Sequence, residues 1–231
     1  MPFSIICKCN LGSPHIKFLR IKPNNLQLTI RQIFNSLIDM SWIDSFMPEV
    51  LRISLRARVE PTVERIKNNF NNGAITAVDR NSGELVVSEL ARISIVNQYG
   101  YLDIPLGELI STQASQNPGF DFYSANSDNI LLFGESKYIA DRTAHRQALR
   151  QIVDFQGDKK DDKDLNTIYN HIPNDIRDDA LEKYNNGKKG YIAAFASKNE
   201  SDEDLISKIQ DNDHFKQLIT YSELICVAID V

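Results

Sequence analysis

Cysteine and histidine are scarce in these 231 residues, and no apolar run reaches the ~18 residues that a membrane-spanning helix needs. The three cysteines, Cys7, Cys9 and Cys226, are an odd number. Cys7 and Cys9 form a Cys-x-Cys. A structural zinc takes about four ligands, so a zinc site would have to recruit Cys226 and His15. The expectation is instead a pair of reduced thiols on a strand. The four histidines, His15, His145, His171 and His214, are scattered without zinc spacing. No Gly-x-Ser-x-Gly and no contextual Cys–His pair is present, which argues against serine or cysteine nucleophiles. No Gly-x-x-x-x-Gly-Lys-Ser/Thr loop is present either, so ATP hydrolysis by this chain is not expected. The start, Met-Pro-Phe-Ser-Ile-Ile-Cys-Lys-Cys, lacks the basic region and long apolar core of a signal peptide, and a cytoplasmic location is the expectation.

Positive charge is also short. The net charge is −5 at pH 7, which argues against a broad basic surface for nucleic acid. A local cleft remains open, because a bound metal supplies its own positive charge. An acidic nuclease can also borrow its grip on DNA from a partner.

What is present has the balance of a globular protein: 42% apolar and 25% charged residues. The length suits one large domain or two small ones. Strand-like runs at 4–9 and 15–21 flank the turn cluster 10–14, and helical spacing follows from Asn25 to about Trp42. Pro48 interrupts. Residues 51–58 alternate apolar side chains with Arg52, Arg56 and Arg58, as an exposed strand does. A helix over 64–70 should stop at Asn71-Asn72-Gly73. These elements suggest an N-terminal α+β region over 1–80 and a second unit over 81–231 that begins near Ala74. In the second unit the spacing predicts helices over 85–99 and 139–155, the first capped by Gly100. It also predicts a charged loop at 157–164 and weak helical periodicity over 165–184, broken at Pro173. Strands at 191–196 and 224–231 surround a helix at 201–210 and should join one sheet with the hairpin described next.

The chemistry concentrates in 119–138. Asp121 sits on one short apolar run, Glu135-x-Lys137 closes another, and Asn126-Ser127-Asp128-Asn129 joins them. Alternation on a strand gives Glu135 and Lys137 one face. With a turn centred on Ser127, Asp121 falls opposite Phe133 and diagonal to Glu135, roughly 7–8 Å away at the backbone. One ion could bridge the two carboxylates across that gap, and a one-residue slip would separate them. Two carboxylates suit Mg²⁺ or Mn²⁺ with waters and a substrate phosphate. Lys137 would orient the attacking water or stabilise the developing anion. Glu89, a lone acid in the 85–96 helix, is the candidate additional metal ligand. Gln147 and Gln151 are weaker candidates for positioning the substrate backbone. Each residue type also has an ordinary structural role: an exposed ion pair, a turn aspartate, a solvated glutamine.

Gly-Phe-Asp followed by Phe-Gly-Glu-Ser-Lys-Tyr resembles the core of the PD-(D/E)xK nuclease superfamily, over about 84–156. Pro118 lies three residues ahead of Asp121 rather than beside it. The resemblance implies an α/β (α+β) fold with a restriction-endonuclease-like mixed central sheet flanked by helices. It also implies metal-dependent phosphodiester hydrolysis by Asp121, Glu135 and Lys137, with Glu89 as a further ligand. More narrowly, Leu-Leu-Phe-Gly-Glu-Ser-Lys-Tyr with a Ser-Glu-Leu helix before it resembles the HamA nuclease subunits of Hachiman anti-phage systems. That implies a DNA nuclease restrained by a helicase or ATPase partner of the HamB kind. A stand-alone restriction endonuclease and a non-catalytic interaction protein on the same fold are the alternatives.

Overall fold

A computed structural model describes residues 2–46, 49–72, 80–110, 119–139 and 143–230. The chain forms β1 (Phe3–Asn10), β2 (Ile16–Pro23), α1 (Leu26–Ile38), a 3₁₀ turn (Ser41–Ser45), α2 (Glu49–Asn72), α3 (Arg80–Tyr99) and α4 (Gly107–Ile110). There follow β3 (Phe122–Ala125), β4 (Leu131–Lys137), α5 (Ala144–Gly157), α6 (Lys160–Ile168), a second 3₁₀ turn (Tyr169–His171) and α7 (Asn174–Asn185). The last elements are β5 (Lys189–Ser197), α8 (Asp202–Gln210), α9 (Asp213–Leu218) and β6 (Glu223–Asp230).

The architecture is mixed α/β: one six-stranded mixed sheet flanked by helices, in the order β1-β2-β6-β5-β4-β3. The four central strands β2, β6, β5 and β4 run parallel, and β1 and β3 are antiparallel edges. Buried on both faces, the parallel strands read as continuous apolar runs, as in Tyr191–Ala196 and Leu224–Ile229. Cys226 is buried at the centre, and Cys7 and Cys9 are free thiols on edge strand β1. Burial and the neighbouring Cys9 push the Cys7 thiol up to about 11. His15 is held by Ser13 Oγ and the Ile219 carbonyl.

β2 pairs with β6 from Ile16↔Leu224 to Ile21↔Ile229. The sheet therefore draws strands from both sides of the expected boundary at 80/81, and its apolar core is continuous from Phe3 to Ile229. The expected start of a second unit near Ala74 lies outside the described residues, as do Pro48 and Pro118.

Helix starts follow their caps. Asn25 Oδ1 accepts the Leu28 amide at 3.0 Å, and Ser201 Oγ accepts that of Asp204 at 3.1 Å. Two expectations are corrected. Residues 51–58 lie inside α2, not on a strand, because Leu55, Val59, Val63 and Ile66 bury one helical stripe. The expected loop at 157–164 is instead the end of α5 and the start of α6, with Asp161 and Asp164 buried. Their partners explain it. Asp161 meets Lys189 Nζ and accepts the Tyr191 hydroxyl, while Asp164 Oδ2 accepts the Phe120 amide and the Tyr123 hydroxyl.

Candidate active site

The hairpin is set by its turn. Asn126 Oδ1 accepts the amides of Asp128 and Ile130, both at 2.9 Å. Asn129 takes the left-handed conformation (φ 56°), and Asn126 and Ile130 close the loop backbone to backbone. A short turn ending in a left-handed residue fixes the register. Phe122 pairs with Gly134, and Ala125 with Leu131. The ladder stops at Phe122, and the Asp121 amide donates to the Gly134 carbonyl at 2.9 Å, so Asp121 lies just outside it and not opposite Phe133, where a turn centred on Ser127 would put it. Its carboxylate bonds Ser136, the neighbour that alternates away from Glu135, so strand alternation does not place it, although its charge still acts on Glu135. Gly134 permits this pairing, because a Cβ there would lie 2.5 Å from the Phe122 ring.

β3 begins at Phe122, whereas β4 runs on to Lys137, so the last residues of β4 lack a β3 partner. Groups from both faces of the sheet meet at this edge, at the carboxyl end of a parallel strand, where open α/β sheets bind ligands. The Asp121 carboxylate accepts two hydrogen bonds from Ser136, from its amide at 2.8 Å and its hydroxyl at 2.7 Å. Ser136 Oγ also meets Ser88 Oγ of α3 at 2.6 Å. Lys137 Nζ donates to Glu135 Oε1 at 2.8 Å and lies 3.8 Å from Glu84 Oε1. Gly83 lets α3 come this close, since a Cβ there would collide with the Tyr138 ring.

The electrostatics follow from burial. Glu135 is 1% exposed, and its Oε2 has no hydrogen-bond partner among the described residues. Desolvation, reinforced by the neighbouring Asp121 charge, pushes the Glu135 carboxyl well above its ordinary range, and Lys137 only partly offsets this. Desolvation also raises Asp121, against the opposing pull of Lys137 and the two Ser136 hydrogen bonds. Burial by itself would lower the Lys137 ammonium, but Glu135, Asp121 and Glu84 together raise it, so it stays charged. The site is thus a buried carboxyl, Glu135, and a half-buried one, Asp121, beside one lysine.

The structure brings Asp121, Glu135 and Lys137 together and places the other expected residues elsewhere. Both Glu89 oxygens are taken: Arg92 forms a fork to them at 2.7 and 2.8 Å, and Ser36 Oγ donates to Oε1 at 2.7 Å. Glu89 is a structural ion pair on α3, turned from Glu84 by roughly 140° of helix rotation. Glu84 is the acid of α3 that approaches Lys137, and sequence reasoning missed it. Both glutamates lie on the same helix, and only its rotation against the sheet distinguishes them. Ser136, which holds Asp121, was also missed because it alternates away from Glu135. Gln147 and Gln151 are half-buried on α5, and neither bonds to Asp121, Glu135 or Lys137.

Among the described residues, no group of three or more His, Cys, Asp or Glu side chains is disposed to hold a metal. Magnesium does not require one, because it is held through one or two carboxylates plus waters and phosphate. The partnerless Glu135 Oε2 and the hard oxygen of Asp121 fit that pattern. Among the described residues no helix is long and apolar enough to cross a membrane. Comparison with family models, curated proteins and solved structures gives no significant match.

Proposed function

We propose that this chain is a metal-dependent DNA endonuclease of a prokaryotic anti-phage defence system, hydrolysing phosphodiester bonds under the control of a helicase partner. The observation that carries the reading is Glu135 Oε2, a buried carboxylate oxygen without a partner among the described residues, acted on by the Asp121 charge and flanked by Lys137. Native interiors pair almost all such atoms, and leaving one bare is a cost that a bound cation would remove.

Asp121 and Glu135 would hold Mg²⁺ or Mn²⁺. When bound, the ion neutralises charge on the phosphate and lowers the pKa of a coordinated water. The chain's own residues do the rest. Ser136 fixes one Asp121 oxygen through two hydrogen bonds. Lys137 stays protonated and places a compact positive charge where negative charge develops on the phosphate. Glu84 holds the Lys137 ammonium at the sheet edge. The net charge of −5 and the PD-(D/E)xK and Hachiman-like motifs support a subunit that depends on a partner for DNA. A second reading, a non-catalytic interaction protein, draws on Lys137 already occupying Glu135 Oε1, with no three-acid cluster among the described residues.

The test is plasmid cleavage by purified protein with Mg²⁺, with Mn²⁺ and with EDTA, alone and with the co-purified partner. A Glu135→Ala, Lys137→Ala protein runs in parallel. Metal-dependent cutting that the double variant loses is the expected outcome. Equal cutting by both proteins would refute the site. Discrete fragments without a partner would instead identify a stand-alone restriction enzyme.

A further inference from the structure

Ser88 of α3 and Ser136 of β4 are both buried, and their hydroxyls meet at 2.6 Å. Ser136 Oγ also lies 2.7 Å from Asp121 Oδ2 and 3.3 Å from the Glu84 carbonyl. Ser88 Oγ lies 2.9 Å from that same carbonyl, one turn back on its own helix. By itself such a back-bond is the ordinary fate of a helical serine. The contact with Ser136 changes the proton accounting. Each hydroxyl has one proton to give, and the carboxylate and the carbonyl of this group only accept. Two protons therefore serve three contacts of 2.6, 2.7 and 2.9 Å. If Ser88 gave its proton to the carbonyl while Ser136 gave its own to Asp121, the two hydroxyl oxygens would face each other with no proton between them. Two arrangements avoid this. In one, Ser136 donates to Ser88 and Ser88 to the Glu84 carbonyl. In the other, Ser88 donates to Ser136 and Ser136 to Asp121. An ionised Asp121 selects the second, because a bond to a charged acceptor is roughly twice as strong as a neutral one. Each bond of such a chain also polarises the next.

We infer that Ser88 is a positioning residue of the candidate active site, acting on Asp121 through Ser136. The inference rests on the nuclease reading for the role of Asp121 as a metal ligand. Asp121 lies just outside the paired strand, so the ladder does not fix its side chain. Its carboxylate is held by the Ser136 amide and the Ser136 hydroxyl. The amide cannot turn away, but the hydroxyl can. With Ser88 donating to it, the Ser136 oxygen has its proton aimed at Asp121. Without Ser88 it is a lone rotor with two acceptors in range, Asp121 and the Glu84 carbonyl. The same turn of α3 braces the other side of the site, because the Glu84 carboxylate lies 3.8 Å from Lys137 Nζ. Residues that hold a metal ligand from behind commonly set metal affinity by about 10–100-fold.

Calorimetric titration of the full-length protein with Mn²⁺, without DNA, reads the site directly. Wild type is compared with Ser88→Ala, Ser88→Thr, Ser136→Ala and the Ser88→Ala, Ser136→Ala double variant. Ser94→Ala is the control: Ser94 is a buried serine of the same helix, and its hydroxyl donates to the Ala91 carbonyl at 2.8 Å. Ser88→Ala should bind Mn²⁺ about tenfold more weakly. Ser88→Thr keeps the hydroxyl and should bind as wild type does, as should Ser94→Ala. The double variant should bind no more weakly than Ser136→Ala alone, because the effect of Ser88 passes through Ser136. Unchanged affinity in Ser88→Ala, a threonine variant as weak as the alanine one, an equal loss in Ser94→Ala, or additive losses in the double variant would each overturn the inference. Those results would leave the metal site standing. A wild type that takes up no Mn²⁺ would instead remove the metal site, and this inference with it.

Discussion

Replacing Glu135 by Gln should make the metal-free protein more stable. In the native state the Glu135 carboxyl is raised by burial and by Asp121, and its Oε2 is bare. A raised carboxyl stabilises the fold fully below its ordinary value of 4.5, and that contribution is lost as pH rises toward the native value. In the folded state burial therefore opposes the charged form of this carboxyl, and Lys137 only partly compensates the charge. Glutamine keeps an acceptor for Lys137 and removes that charge. An unsatisfied buried group costs about 1–3 kcal/mol, and 1 kcal/mol moves the Tm of a chain this size by about 2–4 °C. The variant should melt about 2–12 °C higher at pH 7 in EDTA, the gap closing as pH falls to 4.5. Divalent cation should reverse the order. At a hundred times its Kd, Mg²⁺ adds about 2.7 kcal/mol to the wild type and far less to the variant. Thermal melts over pH 4.5 to 8, with and without Mg²⁺, read both effects. A variant no more stable than wild type in EDTA, or one equally stabilised by Mg²⁺, would refute the reasoning.

Glu89→Ala leaves the Arg92 guanidinium without its fork and should cost about 3 kcal/mol, seen as a lower urea midpoint, while the Mg²⁺-induced rise in Tm persists. Gly134→Ala drives a methyl into the Phe122 ring and should cost about 1–3 kcal/mol in denaturant melts, since that register leaves the ring little room to move. Ser136→Ala removes one of the two hydrogen bonds on Asp121 and should raise its pKa further. The acid limb of the pH profile for metal binding, followed by calorimetry, would move to higher pH.

The hairpin was legible because its information is local. A polar turn and two apolar runs bring Asp121 and the Glu135-x-Lys137 segment to the same end of the hairpin, although Asp121 itself lies just outside the paired strand. The same holds for β5, α8 and β6, where caps and apolar runs mark their own ends. Residues 51–58 misled because a short window of alternating arginines and aliphatics matches both periods. The longer stripe through Val59, Val63 and Ile66 settles it as helix. Residues 157–164 misled because charge reads as solvent exposure unless the partners are known. The partners of Asp161 and Asp164 lie as much as 44 residues away, at Lys189, Tyr191, Phe120 and Tyr123.

By itself, then, the sequence determined the short-range matters: strand alternation, turn chemistry, helix caps, and the pairing of a Glu with a Lys two residues on. Tertiary structure decided what depends on how elements rotate and stack. It joined β2, and β1 through it, to β6, across more than 200 residues of chain, which no local period encodes. It turned Glu84 toward Lys137 and locked Glu89 to Arg92, a choice made by the packing of α3 on the sheet. It also stripped water from Glu135, and desolvation, a property of the surroundings rather than of the residue, is what gives that carboxylate its chemistry.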